Sequence, residues 1–562
     1  MLEHDDNYPR PQLRRDKWIP LDGLWQYAIT DNESCTDKYD GNINVPYSPE
    51  CINSGVNRAL KVGEYIHYTR DFVINTQFIN DITLLHFGAV DMFCKCYLNN
   101  QYVGAHQGGF NAFTLDISYY VHEGSNNIKV VAWDDIDSSY YTNSKQRNNR
   151  GGIWYSNSSG IWQSVWCESV PTNYVQNIKI TPDYDNATVC VEVIGEQLGR
   201  ISVTVMDNGI IKCSGECLDN RIVLPMDQFT SWSPDTPYLY ELCIESDNDK
   251  VNSYFGMRKF SIMQDNKGYA RICLNNQPYF MNGLLDQGYW ADGMLTGTDT
   301  QLKQDIMFAK SLGFNTLRKH IKVEPMRWYY YCDTIGMIVW QDMPSGGTKH
   351  NPFVTMYLPF LGISLKDSQY KLMGRADTRS RSSYYEEYTQ MINQLYNVVS
   401  IACWVPFNEG WGQFDATNVY EYTCRIDSTR LIDHASGWHD QGCGDFKSLH
   451  IYYRKIAFKH DSRPIVLSEF GGYSLPTHGH MYSNKQFGYK LFISQEQFTL
   501  AYCNLYESQI IPLIDKGLCA CIYTQLSDVE EEINGLITYD RQVCKVDKQI
   551  IKQLNGRVKY GN

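Results

Sequence analysis

Apolar and polar positions alternate in short runs through the first 265 residues, and apolar runs separated by helical spacing take over after that. Tyr65–Ile74 and Ile128–Trp133 carry the period-two pattern of half-buried strands, and turn signals such as Leu98-Asn-Asn-Gln-Tyr102 punctuate it. With Gly104-Ala-His-Gln-Gly-Gly109 following such a turn, residues 1–170 are predicted to form a jelly-roll sandwich. Val175–Ile180, Ala187–Val193 and Arg200–Val205 repeat the alternation at even spacing, which predicts an immunoglobulin-like sandwich over residues 171–265.

From residue 266 the pattern becomes strand, then helix. The predicted strands are Tyr279–Leu284, Thr316–Arg318, Ile338–Gln341, Ile401–Phe407, Leu431–Ala435, Ser448–Ile451, Ile465–Ser468 and Cys519–Tyr523. Helical stretches such as Gln301–Leu312, Tyr384–Val398, Gln495–Asp515 and Val546–Leu554 lie between and after them. Residues 266–562 therefore read as a C-terminal (β/α)8 TIM barrel, and the fold class as multidomain β and α/β. One long segment, Asp342 to Ser383, follows the third strand, where loops of a barrel shape its pocket. Its apolar run Pro352–Leu361 should bury against the neighbouring sandwich or a partner subunit of a homo-oligomer. Either way it walls the barrel mouth, and a walled mouth admits a chain end better than a chain middle.

Two of the predicted strands end in a glutamate. Glu409 follows the apolar run Val399–Phe407 within Cys403-Trp-Val-Pro-Phe-Asn408-Glu409-Gly-Trp-Gly-Gln413, and Glu469 follows Ile465–Ser468 ahead of Phe470-Gly-Gly472. In a parallel barrel the C-terminal strand ends converge, so the two carboxylates can oppose each other across one substrate. Glycoside hydrolysis needs such a pair, one carboxyl protonated for the leaving oxygen and one ionised to attack the anomeric carbon.

Composition narrows the partners. A chain of 562 residues is too long for one core, and its 42 Tyr and 13 Trp offer aromatic platforms for the C–H faces of sugars. A net charge of −13 argues against nucleic acid or an anionic membrane surface as partner. No apolar stretch approaches 18 residues, so no membrane span is expected. Met1–Pro9 lacks the basic start and apolar core of a secretion leader, and 18 cysteines then read as reduced thiols in a cytoplasmic protein. Cys94-Lys-Cys96 and Cys519-Ala-Cys521 place paired thiols on one strand face, yet without a Cys/His cluster they read as buried thiols. His478-Gly-His480 has the same reading as regards metal, although it follows Glu469 closely enough to line a pocket. Neither metal nor cofactor is expected.

The order of jelly roll, immunoglobulin-like domain and a barrel carrying Asn408-Glu409 and Glu469-Phe-Gly resembles glycoside hydrolase family 2, which includes β-galactosidases, β-glucuronidases and β-mannosidases. Gly160–Trp166 resembles the family's sugar-binding-domain signature, and Gly313–Arg318 and Tyr331–Trp340 resemble its second and third barrel strands. The resemblance implies that Glu409 is the general acid/base and Glu469 the nucleophile. It implies that Asn408 bonds the sugar 2-hydroxyl, and that Arg318 sits under the nucleophile and keeps it ionised. Tyr452, in His450-Ile-Tyr452, matches the tyrosine that bonds the nucleophile, with His450 beside it at the sugar. Asp286, Gln287 and Trp290 after strand one, Gln525 and Asp528 after strand eight, Trp438 after strand five and Lys322 after strand two are expected to line the pocket.

The sequence also departs from the family it resembles. Where β-galactosidases carry Arg-x-Ser-His-Tyr-Pro, this chain has Arg318-Lys-His-Ile-Lys-Val-Glu-Pro325, so the histidine position falls on Ile321. The Asn-x-Lys with which β-glucuronidases hold the substrate carboxylate corresponds to Glu532 and Asn534, and an acid at that place repels a uronic acid. Trp340-Gln-Asp342 resembles β-mannosidases, without their Trp-Gly-Gly element. The expectation is a retaining exo-β-glycosidase acting on terminal sugars, galactose-configured in the first instance. The alternatives are an α-L-arabinosidase, another specificity of the family, or a carbohydrate-binding protein without catalysis.

Overall fold

The structure is a computed structural model that describes residues 7–137, 140–348 and 351–560. In the first sandwich, six antiparallel strands pair in the order Gly41–Val45, Gly23–Thr30, Tyr65–Ile74, Gly124–Trp133, Phe93–Leu98 and Gln101–Gln107. A second sheet of Trp18–Pro20, Val165–Val170, Ile82–Phe87 and Phe113–Asp116 shares one core with it. Ile66, Tyr68, Ile128 and Val130 all reach that core, as period-two alternation requires. Cys94 and Cys96 pack there too, and all 18 cysteines are free thiols. The next seven strands form a three-stranded and a four-stranded antiparallel sheet around Val189, Val191, Val203 and Leu242.

The barrel strands are Met281–Asp286, Thr316–Lys319, Ile338–Asp342, Ile401–Val405, Leu431–Ile432, Lys447–Ile451, Ile465–Gly471 and Leu518–Thr524. They pair in parallel in the order 5-4-3-2-1-8-7-6, and burial along almost their whole length explains why they read as apolar runs. Strand five is shorter than its sequence suggests, and no ladder joins it to strand six among the described residues. Side chains bridge that seam instead. Ser448 Oγ donates to Asp433 Oδ2 at 2.8 Å, and the Ile432 N–H donates to Asp445 Oδ2 at 2.7 Å.

Two loops build the barrel mouth. Residues 140–159 of the jelly roll cross onto it, where the Asn143 and Ser144 N–H groups donate to Ser345 O at 2.8 and 2.9 Å. The segment after strand three supplies a second wall, but its apolar run does not bury as the sequence suggests. Val354 is buried while Phe353 is 59% exposed, Tyr357 58% and Leu361 74%. The run folds as helical turns over Phe353–Tyr357 and Leu358–Phe360, and of its described side chains Val354 and Thr355 turn inward while Phe353, Tyr357 and Leu361 face outward. Among the described residues no helix is long and apolar enough to cross a membrane.

Candidate active site

Strand four is buried throughout, and the chain leaves it through Pro406-Phe407-Asn408-Glu409. Hydrogen bonds to the strand-five segment continue past the strand's end: the Ser436 N–H donates to Phe407 O at 2.8 Å and the Glu409 N–H to Ser436 O at 3.0 Å. They hold Glu409 at φ 51°, in the left-handed region that non-glycine residues rarely occupy and that costs energy. The turn brings Glu409 Oε1 to 2.8 Å from His450 Nδ1.

Glu469 lies in strand seven at a register shift against strand eight, and a second shift in strand six places His450 opposite it. Such bulges re-aim side chains next to active sites. The His450 ring fits because residue 437 is glycine: its φ is +83°, and a Cβ there would stand 2.4 Å from His450 Cγ. One carboxylate oxygen of Glu409, one of Glu469 and a ring nitrogen of His450 all lie within 4.8 Å of one another. This separation is short of the roughly 6.5–9.5 Å between carboxyl groups that leaves room for a water, and near the roughly 5–5.5 Å of direct attack. A cation on these three groups would sit beside the Arg318 guanidinium, which is 3.1 Å from Glu469 Oε1, so the donor set is better suited to proton chemistry than to metal.

Arg318, fully buried at the end of strand two, organises the floor. Its fork donates to Asp342 Oδ1 and Oδ2 at 2.9 Å each, to Glu469 Oε1 at 3.1 Å and to Asn408 Oδ1 at 2.8 Å. The Tyr452 hydroxyl donates to the other Glu469 oxygen, and its ring stacks on Tyr489 at 4.0 Å. Burial raises the Glu469 carboxyl, but the adjacent His450 ring and the Arg318 guanidinium outweigh it and hold the group at about 2. Glu409 moves the opposite way. Burial raises it, the His450 hydrogen bond pulls it down, and the Glu469 charge adds to the rise. One carboxylate is thus kept ionised and its neighbour is biased toward the protonated form.

A cavity of about 750 Å³ opens on Glu409, and Tyr452 and Trp438 line it. Several residues expected in the pocket are engaged elsewhere. Asp286 pairs with Lys319 at 2.7 Å, Asp528 with Lys545 at 2.7 Å, and Gln287 donates to Gln525 Oε1 at 2.7 Å. Trp290 is 2% exposed and packs between Lys322, 4.8 Å from its ring, and Arg541, 5.7 Å away. Lys322 itself donates to Glu324 and to the Gly288 and Leu295 carbonyls. None of these six lines the cavity. His450, expected at the sugar, lies between the two glutamates, with Nδ1 2.8 Å from Glu409 Oε1 and Nε2 3.6 Å from Glu469 Oε1. His480 pairs with Asp540 at 2.7 Å.

Sequence reading missed the jelly-roll wall. Trp154 lines the cavity between Arg147, 4.3 Å above its ring, and Trp411, 5.1 Å between centroids. Lys145, on the same loop, is buried with Nζ 5.3 Å from the Tyr155 ring. His320 was also missed. It lies 2.9 Å from Asp342 Oδ2 and 4.0 Å from Glu469 Oε1, and burial, with the Lys145 charge second, holds its ring far below the usual histidine range. The available signal was the length of the 134–159 connection and its Arg, Asn, Gly and Trp content, since long loops inside a compact fold tend to carry function.

Comparison with known proteins follows the same lines. A β-galactosidase of Thermoanaerobacter pseudethanolicus is 24% identical over 351 residues, which cover 58% of this chain and 46% of that protein. A β-galactosidase of Leuconostoc mesenteroides is 22% identical over 522 residues, 83% of this chain and 45% of that one. The chain thus spans about half the length of these curated relatives. The solved β-glucuronidase of Ruminococcus gnavus superposes with a TM-score of 0.77 at 17% identity, covering 99% of this chain and 100% of that one, and so shares its fold. Residues 33–171 match the sugar binding domain of the glycosyl hydrolases family 2, and residues 268–560, more than half of the chain, match its TIM barrel domain. The chain belongs to glycosyl hydrolases family 2.

Proposed function

We propose that this protein is a retaining exo-β-glycosidase that removes a terminal galactose-configured sugar through a covalent glycosyl–Glu469 intermediate. The observation that carries the reading is the pair of glutamates within 4.8 Å, one held ionised and the other biased toward protonation. Glu469 attacks the anomeric carbon while Glu409 protonates the departing oxygen. Having protonated the leaving oxygen, Glu409 is ionised; ester formation removes the Glu469 charge, one of the causes that raise Glu409, so it stays ionised and can take a proton from the incoming water. Asn408, fixed by Arg318, is the group assigned to the sugar 2-hydroxyl. Glu532, buried and bridged through its backbone to Phe487 of the cavity wall, supports a neutral sugar over a uronic acid. The wall built by residues such as Trp154, Pro352 and Thr355 supports release from a chain end.

A panel of aryl glycosides tests the reading: galactoside, glucuronide, mannoside, arabinosides and xyloside at equal concentration. The expected result is turnover of the β-galactoside or the α-L-arabinopyranoside, which has the same ring configuration without the hydroxymethyl group. Absence of turnover on the whole panel contradicts catalysis and leaves a binding protein.

The acid/base role makes its own prediction. Activity requires Glu409 protonated, so kcat/KM falls as pH rises through its raised pKa. In Glu409→Ala that basic limb disappears. Rates on poor leaving groups drop by about 10²–10⁴-fold, while azide restores breakdown of the intermediate formed from activated substrates. A pH profile unchanged in the variant, with no response to azide, reassigns the acid.

A further inference from the structure

Tyr452, Tyr453 and Tyr489 line the cavity that opens on Glu409, and the same three residues line a second cavity of about 700 Å³ that Glu409 does not reach. The join between the two is well fixed. The Tyr452 hydroxyl donates to Glu469, its ring stacks on Tyr489 at 4.0 Å, and Tyr453 meets Tyr489 edge-on at 5.3 Å. A ligand with its terminal sugar at Glu469 therefore has adjoining space in the second cavity for what the sugar is attached to.

The second cavity has a sign of charge. Arg454, Lys455 and Lys490 line it, all three are exposed, and no carboxylate is among its lining residues. Among the described residues no acid pairs with any of them; Lys490 rests over the Tyr473 and Phe492 rings at 5.6 and 5.2 Å. The backbone holds the cations in place: the Ile456 N–H donates to Gln509 Oε1 at 2.8 Å, and Lys490 lies in a two-residue strand paired with Tyr473–Ser474. Tyr452–His460 carries Arg454, Lys455 and Lys459 without one acid, in a chain with 63 acidic and 50 basic side chains. Like charges gathered on one groove add nothing to the fold, whereas they raise the local concentration of an anionic ligand. The net charge of −13 does not oppose this at contact range, because exposed charges more than about 8 Å away are screened at physiological ionic strength. Arg454 and Lys455 follow Tyr452 directly, within about 7–11 Å of extended chain, so they would meet the units next to the sugar being removed.

We propose that the groove running from Tyr452 and Tyr489 past Arg454, Lys455 and Lys490 holds an anionic glycan chain, so that the substrate is a neutral terminal sugar carried on an acidic oligosaccharide or polysaccharide. The proposal rests on the glycosidase reading for what happens at Glu469, but the groove can be measured without turnover.

Calorimetric titration of the full-length protein with short oligosaccharides of equal length makes that measurement: an oligogalacturonate, its methyl ester and a sulfated galactan fragment. The ester removes the charge alone, and the two anionic probes separate carboxylate from sulfate as the recognised group. At least one anionic probe is expected to bind about tenfold or more tightly than the ester, with affinity that falls as salt is raised. The triple variant Arg454→Gln, Lys455→Gln, Lys490→Gln should lose about tenfold of that binding, because exposed charge pairs are individually weak and act here together. Its urea unfolding midpoint should stay at the wild-type value, which separates recognition from folding. A kinetic readout follows: for an acidic oligosaccharide capped with the preferred terminal sugar, the ratio of kcat/KM to that of its methyl ester should fall in the variant through KM. Equal affinity for the ester and both anionic probes, or anionic binding unchanged in the triple variant, overturns the proposal. Turnover of an aryl glycoside by a protein that binds neither anionic probe sinks the groove and leaves the glycosidase reading standing, whereas charge-dependent binding without turnover of any glycoside sinks the glycosidase reading alone.

Discussion

Glu469→Ala loses turnover on every glycoside, on the order of 10⁶-fold, the scale seen when a catalytic nucleophile is removed. The loss is uniform because no other group stands where attack must begin. His450 is 3.6 Å from Glu469 but is already bonded to Glu409 at 2.8 Å, and both oxygens of Asp342 are held by Arg318 Nε and Nη2. Leaving-group activation, which helps Glu409→Ala, should do nothing here. Single-turnover kinetics on an activated aryl glycoside check it: no burst of aryl alcohol is expected. A burst that survives the substitution would point to another nucleophile.

Arg318→Met is expected to carry the largest stability effect, about 3–5 kcal/mol, because it removes one partner from a buried ionic cluster. Asp342, fully buried, would lose both of its arginine bonds, Glu469 would lose a cation 3.1 Å away, and Asn408 would lose the bond that fixes its amide. Arg318→Lys should rescue only part of this, since a single ammonium cannot reproduce the fork. The same change has an electrostatic signature. Arg318 is among the charges that hold Glu469 near 2, so its loss moves the Glu469 carboxyl upward and brings an acid limb of kcat/KM to higher pH. Urea unfolding followed by tryptophan fluorescence, together with the pH profile of the residual activity, reads both effects. An unchanged unfolding midpoint with an unchanged acid limb would mean that the cluster carries neither the fold nor the nucleophile.

Local pattern made much of the fold legible, because the switch from period two to strand-helix alternation after the second sandwich is local and strong. The strand ends at Glu409 and Glu469 were legible for the same reason: an apolar run ends and a carboxylate follows. The direction in which a side chain turns after a strand is not encoded that way. Asp286 was expected in the pocket from its position, yet Lys319 on the adjacent strand takes its carboxylate. Trp290 follows the same strand and is drawn between two cations in the barrel wall. The contribution of the first sandwich was hidden for a different reason. Lys145 and Trp154 meet Glu532 and Trp411 across hundreds of residues, and contacts at that separation leave no periodic trace in either segment. The helical turns at Phe353–Tyr357 escaped notice because a short apolar run with two prolines satisfies strand, loop and helix readings alike.

The central claim is that Glu469 forms a covalent bond to the sugar. Incubation with 2-deoxy-2-fluoro glycosyl fluorides of the panel sugars measures this directly, because the fluorine slows both steps while the reactive leaving group keeps the first one faster. Intact-protein mass spectrometry should then show one added glycosyl unit per chain, and peptide mapping should place it on Glu469. An unlabelled protein that nevertheless hydrolyses the parent glycoside, or a label on any other residue, would contradict the account.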